Sequence, residues 1–161
     1  MTIKVGDKIP DATLVKVTEA GPAPISTADL FGGRTVALFS VPGAFTPTCS
    51  AKHLPGFVSN AEAIKKHGVD EIVCLSVNDA FVMGAWGKSA NVDDKVTMVA
   101  DGSAVFTTLL GLTMDASKFG MGIRGQRFSM LVKDGVVTQL NIEDPGAFAV
   151  SSAEHMMGQL K

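Results

Sequence analysis

Short, almost wholly apolar segments recur along the middle of the chain. They occupy positions 35–41, 71–77 and 96–100. Segments of this length are too short for buried helices and are typical of strands that are covered on both faces. Helix-length stretches separate them, which is the arrangement of βαβ units with parallel strands. The pattern therefore predicts an α/β domain built on a central sheet.

The stretches between these strands carry helix boundaries. The longest runs from Cys49 to Gly68 and ends in a basic turn before the glycine, as expected at a helix C-terminus. Pro55 should interrupt this helix, because proline removes a backbone donor and clashes with the preceding turn. Further helices are predicted over positions 79–90 and 101–110, and from a capping box at 151–154 onward.

Two hairpins flank the central strands. The first combines alternating residues at 13–17 with a Gly-Pro-rich turn, and the second joins 127–133 to 136–142 through an Asp-Gly turn. The glycine-rich segment 111–125 is predicted to be a loop that approaches another surface closely. This order of elements predicts a thioredoxin-like α/β fold, with a central mixed β-sheet flanked by helices and an N-terminal β-hairpin extension. One domain over residues 1–161 accounts for the whole chain.

Composition narrows the classes of function. Hydrophobic residues make up 46% of the 161 residues and charged residues only 19%, which leaves apolar surface for a partner subunit. A formal net charge of −2 provides no basic surface for nucleic acid or for an anionic membrane. We therefore expect neither nucleic acid nor membrane as a primary partner.

The two cysteines, Cys49 and Cys74, are too few for a disulfide scaffold. They form no CxxC motif and no His/Cys cluster with zinc spacing. The first residues lack the apolar core of a signal peptide, and no apolar run approaches membrane-spanning length. These features predict a cytoplasmic protein in a reducing compartment, and they also suit an organellar protein whose transit peptide has been removed.

Cys49 is the main candidate for chemistry because of where it falls. The apolar strand at 35–41 is closed by two prolines, and Cys49 follows in the first turn of the next helix. Unpaired backbone N–H groups and the helix dipole favour an anion there, so the reactive thiolate should be stabilised. The alternative is that Cys49 is a small buried hydrophobic residue, as free cysteines often are.

Four motifs then indicate a family. The pattern Pro42-x-x-x-Thr46-x-x-Cys49 resembles the active-site signature of the peroxiredoxins, and the run PGAFTPTCS resembles their type II, peroxiredoxin 5-like branch. The segments KHLPGF, CLSVND and RFSM resemble the same branch in the same order along the chain. The resemblance covers nearly the whole chain and implies a thioredoxin-like fold and a thiol peroxidase.

The resemblance also implies a mechanism. The Cys49 thiolate would attack one oxygen of hydrogen peroxide or an organic hydroperoxide, the O–O bond would break, and Cys49 would become a sulfenic acid. No metal, haem, flavin or other cofactor is required. Pro42 would wall the pocket, and Thr46 and Arg127 would align and polarise the peroxide. The remaining pocket residues are expected to be Gly43, Phe45 and His53.

Several of these residues have simpler interpretations. Thr46 is also a suitable helix N-cap, although its hydroxyl can bond the thiolate and accept from a peroxide at once. An arginine at a strand start, such as Arg127, is most often a surface charge, and Arg124 is a nearby competitor. His53 would share a helical face with Cys49, but the sequence supplies no third group to orient a Cys–His hydrolytic pair.

The regeneration of Cys49 is a separate question. Cys74 lies within an apolar strand and is better explained as an inert buried thiol than as a resolving cysteine. Animal type II peroxiredoxins carry their resolving cysteine near the C-terminal helix, where this chain has Ser151. The chain most resembles the plant and bacterial enzymes, which implies an external thiol: glutaredoxin with glutathione, or thioredoxin.

Two other classes of function compete with this one. A thioredoxin-like disulfide oxidoreductase needs a second cysteine three positions from the first, and Thr46 stands there. A non-catalytic redox-sensing or chaperone-like binding module is favoured only by the low charge content. The low charge and the family resemblance together predict a homodimer that forms through the start of the Cys49 helix and the 111–125 segment.

Overall fold

The computed structural model describes residues 1–160. A mixed sheet of seven strands runs through the molecule in the order β2-β1-β5-β4-β3-β8-β9. A separate two-stranded sheet pairs β6 with β7. The strands are β1 Thr13–Thr18, β2 Gly21–Ser26, β3 Thr35–Val41, β4 Glu71–Ser76, β5 Thr97–Ala100, β6 Thr113–Asp115, β7 Ile123–Gly125, β8 Phe128–Lys133 and β9 Val136–Ile142.

The strand pairing confirms the predicted topology. The apolar strands β3, β4 and β5 are neighbours and run parallel. The hairpin β1–β2 joins the sheet through an antiparallel pairing of β1 with β5, so it forms the edge extension that was expected. The hairpin β8–β9 joins on the other side, with β8 antiparallel to β3. The fold is a thioredoxin-like α/β fold with a central mixed sheet.

Helices cover both faces of the sheet. They are α1 Thr27–Phe31, a π-helical turn Cys49–His53, α2 Leu54–Ser59, α3 Ala61–Lys66, α4 Ala80–Ser89, α5 Val105–Leu110, a 3₁₀ turn Ser117–Phe119 and α6 Ala153–Leu160. No helix within residues 1–160 combines the length and apolar character that a membrane crossing requires.

The side chains of β3 alternate between two hydrophobic cores. Phe39 and the residues two positions before and after it, Ala37 and Val41, face a core that includes α2, α3, α4 and α6. Leu38 points to the opposite face, where α1 and α5 complete a second core. Because both faces are covered, β3 is almost wholly apolar, and its buried Ser40 hydroxyl donates to the Gln126 carbonyl.

The helix predicted from Cys49 to Gly68 is divided. A π-helical turn comes first, and Leu54 donates its N–H to the Cys49 carbonyl five residues earlier. Pro55 lies in the first turn of α2, where a missing N–H is tolerated, and the change from the π-helical turn to α2 directly before it confirms the interruption expected at this proline. A second break, which was not predicted, comes at Asn60, whose backbone N–H and side-chain amide both bond the Gly56 carbonyl.

Three smaller predictions are also corrected. The 111–125 segment is not simply a loop, because β6 and β7 form a hairpin within it. Helix α5 begins at Val105 rather than near position 101, because Asp101 instead accepts hydrogen bonds from the N–H groups of Phe106 and Thr107. The cap of α6 is Ser152, which bonds the N–H of His155.

Candidate active site

A strand, a turn and a helix place Cys49 at the edge of the central sheet. β3 ends at Val41, and the turn that follows contains Phe45 in the left-handed backbone region with φ 64°. Ser50 donates its N–H to the Thr46 carbonyl at 2.9 Å, which closes the first helical turn. Cys49 therefore lies in a first turn, as expected, and its side chain is fully buried.

Two donors converge on the Cys49 sulfur. The Thr46 hydroxyl lies 2.8 Å from Sγ, and the Arg127 Nη2 group lies 3.0 Å from it. Thr46 Oγ1 is also 2.7 Å from the Gly43 carbonyl. Because a hydroxyl has one hydrogen, Thr46 can bond either the carbonyl or the sulfur, and an ionised sulfur is the stronger acceptor.

Arg127 is not a solvated surface charge. It immediately precedes β8, and its Nη1 group donates to His53 Nδ1 at 2.8 Å while Nη2 reaches Cys49. The guanidinium carbon lies 5.9 Å from the centre of the Phe148 ring. The alternative cation, Arg124, bonds the carbonyls of Met121 and Val77 instead, so it is also not a free loop charge.

His53 is a fully buried acceptor for Arg127 and forms no hydrogen bond to Cys49. Its Nε2 atom lies 2.9 Å from the Ser151 carbonyl oxygen. An arginine can only donate and a carbonyl can only accept, so the neutral ring must carry its hydrogen on Nε2. Burial and the nearby Arg127 charge lower the pKa of His53 to about 3. A neutral histidine engaged on both nitrogens gives no support to a Cys–His hydrolytic pair.

The other predicted pocket residues occupy the turn before Cys49. Gly43 is buried, and a Cβ atom there would lie 3.2 Å from the Thr46 methyl group and 3.3 Å from Arg124. Pro42 is partly buried beside it. Phe45 is 54% exposed, and its ring centre lies 6.4 Å from that of Trp86. The turn thus has a closely packed glycine on its inner side and an exposed aromatic ring on its outer side.

Cys74 lies in the middle of β4, where it pairs with Phe39 of β3. It is fully buried and is not bonded to Cys49. Burial raises the pKa of the Cys74 thiol well above its ordinary value, and the nearby Cys49 adds to this. Both effects disfavour the thiolate that disulfide exchange requires.

Sequence reasoning missed two residues beside this site, Glu143 and Phe148. The Glu143 carboxylate is buried and bonds Ser151, the residue whose carbonyl meets His53. The Phe148 ring stands nearly edge-on to His53, with the centres 5.0 Å apart. Both belong to an irregular segment after β9, and nothing in its composition indicated that it folds back over Arg127.

Comparisons with known proteins identify relatives of this chain. A model of the redoxin family matches residues 4–157. Peroxiredoxin-2B of Arabidopsis thaliana is 49% identical over 98% of both chains. The chloroplastic peroxiredoxin-2E of the same plant is 47% identical over 99% of this chain and 70% of its own. Reduced Prx3 of Vibrio vulnificus in complex with H₂O₂ has a TM-score of 0.95 and 49% identity, and the match covers 99% of this chain and 100% of the other.

The chain therefore belongs to the redoxin family. Within that family it is a peroxiredoxin of the type II, peroxiredoxin 5-like branch, and its activity is that of a thiol-dependent peroxidase. The resemblance inferred from the four sequence motifs is confirmed.

The buried neutral His53 makes stability depend on pH. Its pKa is about 3 in the folded protein and near the ordinary 6.5 when unfolded, so the unfolded chain binds more protons below pH 6.5. Stability is therefore lost as pH falls below 6.5, and the loss between pH 7 and pH 5 should be about 2 kcal/mol. Urea unfolding at both pH values measures it. The loss should largely disappear in His53→Gln, and an equal loss in that variant would contradict the prediction.

Proposed function

We propose that Cys49 is the nucleophile of the peroxidase. The observation that supports this most strongly is the convergence of the Thr46 hydroxyl and the Arg127 guanidinium on its sulfur at 2.8 and 3.0 Å. Both groups can donate to the sulfur, Thr46 by turning its hydroxyl hydrogen from the Gly43 carbonyl, and both then stabilise negative charge on it. Among residues 1–160 no comparable donors meet Cys74, which lies inside the sheet.

The reaction follows from these contacts. The Cys49 thiolate attacks one oxygen of the hydroperoxide, an S–O bond forms, and the O–O bond breaks. The leaving oxygen departs with the bonding electrons and takes up a proton, so the products are a Cys49 sulfenic acid and water or an alcohol. Arg127 stabilises the charge that develops on the oxygens, and Thr46 orients the peroxide by accepting its hydrogen.

The buried turn residues shape the space where the peroxide reacts. Pro42 and Gly43 form the wall on the strand side, and a Cβ atom at Gly43 would press on the side chains of Thr46, Arg124 and Met121 at 3.2 to 3.4 Å. Phe45 covers the outer side of the turn. His53 takes part indirectly, because it holds Arg127 rather than the sulfur.

An external thiol then regenerates the enzyme. A thiol attacks the Cys49 sulfenic acid, water leaves, and a mixed disulfide forms; a second thiol releases the Cys49 thiol and a disulfide product. Glutaredoxin with glutathione is the proposed reductant, with thioredoxin as the alternative. Ser151 supports external resolution, because its hydroxyl is buried and bonded to Glu143 and has no redox chemistry. Two free buried cysteines fit a reducing compartment, and we propose the cytoplasm.

The first prediction from the proposed function concerns Arg127. Arg127→Lys keeps the positive charge but cannot donate to Cys49 and His53 at once, because lysine lacks the planar fork of donors. We expect the rate constant for hydrogen peroxide to fall roughly 100- to 1,000-fold, the range found when one preorganised donor is lost. Stopped-flow oxidation of the reduced protein measures it. Cys49→Ser gives the zero-activity baseline, and an unchanged rate in Arg127→Lys would transfer the role to another cation.

The second prediction concerns Cys74. A disulfide needs Cα atoms about 4.4 to 6.8 Å apart and converging side chains, whereas Cys74 is fixed in a central strand. Cys74→Ser should therefore retain full turnover with glutaredoxin and glutathione. Coupled peroxidase assays test this. Loss of turnover with Cys49 trapped as the sulfenic acid would show that Cys74 resolves it.

The third prediction concerns self-association. The loops around the site are joined by contacts of Ala44 with Asn78 and of Arg124 with Val77. Four exposed large hydrophobic residues lie in or next to these loops: Phe45 in the turn, Phe81 in α4, Phe119 in the 3₁₀ turn and Ile123 in β7. We propose that a second copy of the chain covers this surface.

Phe119 is 71% exposed, so a charge there should not disturb the monomer but should split the dimer. Sedimentation at micromolar concentration should show a dimer for the wild type and a 16.7 kDa species for Phe119→Glu. Val5→Glu is the matched control, because Val5 is 57% exposed and lies beside β9. A monomeric wild type would refute the proposal.

A further inference from the structure

Glu143 is a buried carboxylate that is not a member of any predicted site. It directly follows β9, and only 7% of its surface is exposed. Its Oε2 atom accepts four hydrogen bonds, from the N–H groups of Ala149, Val150 and Ser151 at 2.7 to 2.9 Å and from the Ser151 hydroxyl at 2.7 Å. Burial would raise the pKa of Glu143, but these hydrogen bonds outweigh it and hold the pKa below its ordinary value.

The backbone ties Glu143 to Arg127. The Glu143 N–H donates to the Arg127 carbonyl at 3.0 Å, one step beyond the last β8–β9 pair, Phe128 with Ile142. The segment 143–151 therefore leaves the sheet at the arginine. Glu143 then binds the far end of the same segment, so the segment closes into a loop held by a single carboxylate oxygen.

This closed loop contacts Arg127 through two routes. The Ser151 carbonyl accepts the Nε2 hydrogen of His53, which leaves Nδ1 free to accept from Arg127 at 2.8 Å. Phe148 lies against both groups, 5.0 Å from the His53 ring centre and 5.9 Å from the guanidinium carbon of Arg127. Both routes begin in the loop that Glu143 closes.

We propose that Glu143 is a positioning residue for peroxide reduction: by closing the 143–151 loop, it sets His53 and Phe148 so that Arg127 stays aimed at the Cys49 sulfur. This inference rests on the proposed roles of Cys49 and Arg127. Glu143 touches neither the sulfur nor the peroxide and acts only through the loop. Its charge is what allows one oxygen to hold four donors, because bonds to a carboxylate are about twice as strong as bonds to a neutral acceptor.

The test distinguishes an effect on the alignment of the peroxide from an effect on the ionisation of the Cys49 thiol. Glu143→Gln keeps the size of the side chain and removes its charge. Two rate constants are measured in a Cys74→Ser background, one for hydrogen peroxide and one for alkylation by iodoacetamide, at a pH where alkylation has reached its plateau. Alkylation needs only the thiolate, whereas reduction of peroxide also needs Arg127 in place. Trp86 is a usable fluorescence reporter, because its Nε1 donates to Ser50 beside Cys49 at 3.0 Å.

We expect the peroxide rate constant of Glu143→Gln to fall at least fivefold while the alkylation rate constant stays within twofold of the wild type. Asp144→Asn is the matched control, since it removes an acid from the next position, which is exposed, and should change neither constant. An unchanged peroxide constant in folded Glu143→Gln would overturn the proposal. An equal fall in both constants would also overturn it, because that result indicates a general structural role.

Two further variants, Ser151→Ala and Arg127→Lys, complete the experiment. If Glu143→Gln does not fold by circular dichroism, Ser151→Ala removes one of the four bonds and keeps the charge. It should lower the peroxide constant about threefold and leave alkylation unchanged, and the absence of any fall would overturn the proposal. Arg127→Lys is measured in parallel. If it slows peroxide reduction and Glu143→Gln does not, only the role of Glu143 fails; if neither does, the role of Arg127 fails as well.

Discussion

The arrangement of the site depends on the guanidinium of Arg127. It is partly buried, and a buried cation must be compensated by acceptors or by an opposite charge. Within residues 1–160 no carboxylate forms an ion pair with it. Its side-chain acceptors are the neutral His53 ring and the Cys49 sulfur. In the proposed mechanism the Cys49 thiolate is the anion that this cation stabilises, and the same cation can stabilise the oxygen that leaves.

The rest of the fold keeps these groups in place. β3 is the central support, because its two faces enter two separate hydrophobic cores. The strand ends immediately before the turn that carries Thr46, so the turn starts from a fixed point. Phe39 stacks on Phe57 with ring centres 4.1 Å apart and also contacts His53 at 4.9 Å. The core packing and the site share side chains, so displacement of one should be felt in the other.

Much of this could be predicted from the sequence, for physical reasons. Strands covered on both faces must be apolar throughout, so β3, β4 and β5 were visible as short hydrophobic runs. Cys49 was identifiable mostly from the family motif and partly because a helix start favours an anion. The roles of Thr46 and Arg127 came from family resemblance, and spacing alone would not have chosen Arg127 over Arg124. The convergence of both residues on one sulfur required the folded chain.

The site residues that the sequence did not reveal are set by contacts between distant parts of the chain. Glu143 and Phe148 lie in an irregular segment with no periodicity, and their neighbours are set by how the segment returns to the sheet. The second helix break, at Asn60, was not predicted, because a side-chain amide that competes for a helix carbonyl is a weaker sequence signal than a proline. Short strands such as β6 have too few residues to show alternation, so a glycine-rich hairpin was predicted to be a loop.

The central claim is that Cys49 alone receives the peroxide oxygen. The most direct measurement treats the reduced protein with one equivalent of hydrogen peroxide in the presence of a dimedone-type sulfenic acid trap and locates the adduct by peptide mass spectrometry. We expect a single adduct on the peptide that contains Cys49, with the Cys74 thiol unmodified. An adduct on Cys74, or loss of both thiols to a Cys49–Cys74 disulfide before the trap reacts, would contradict it.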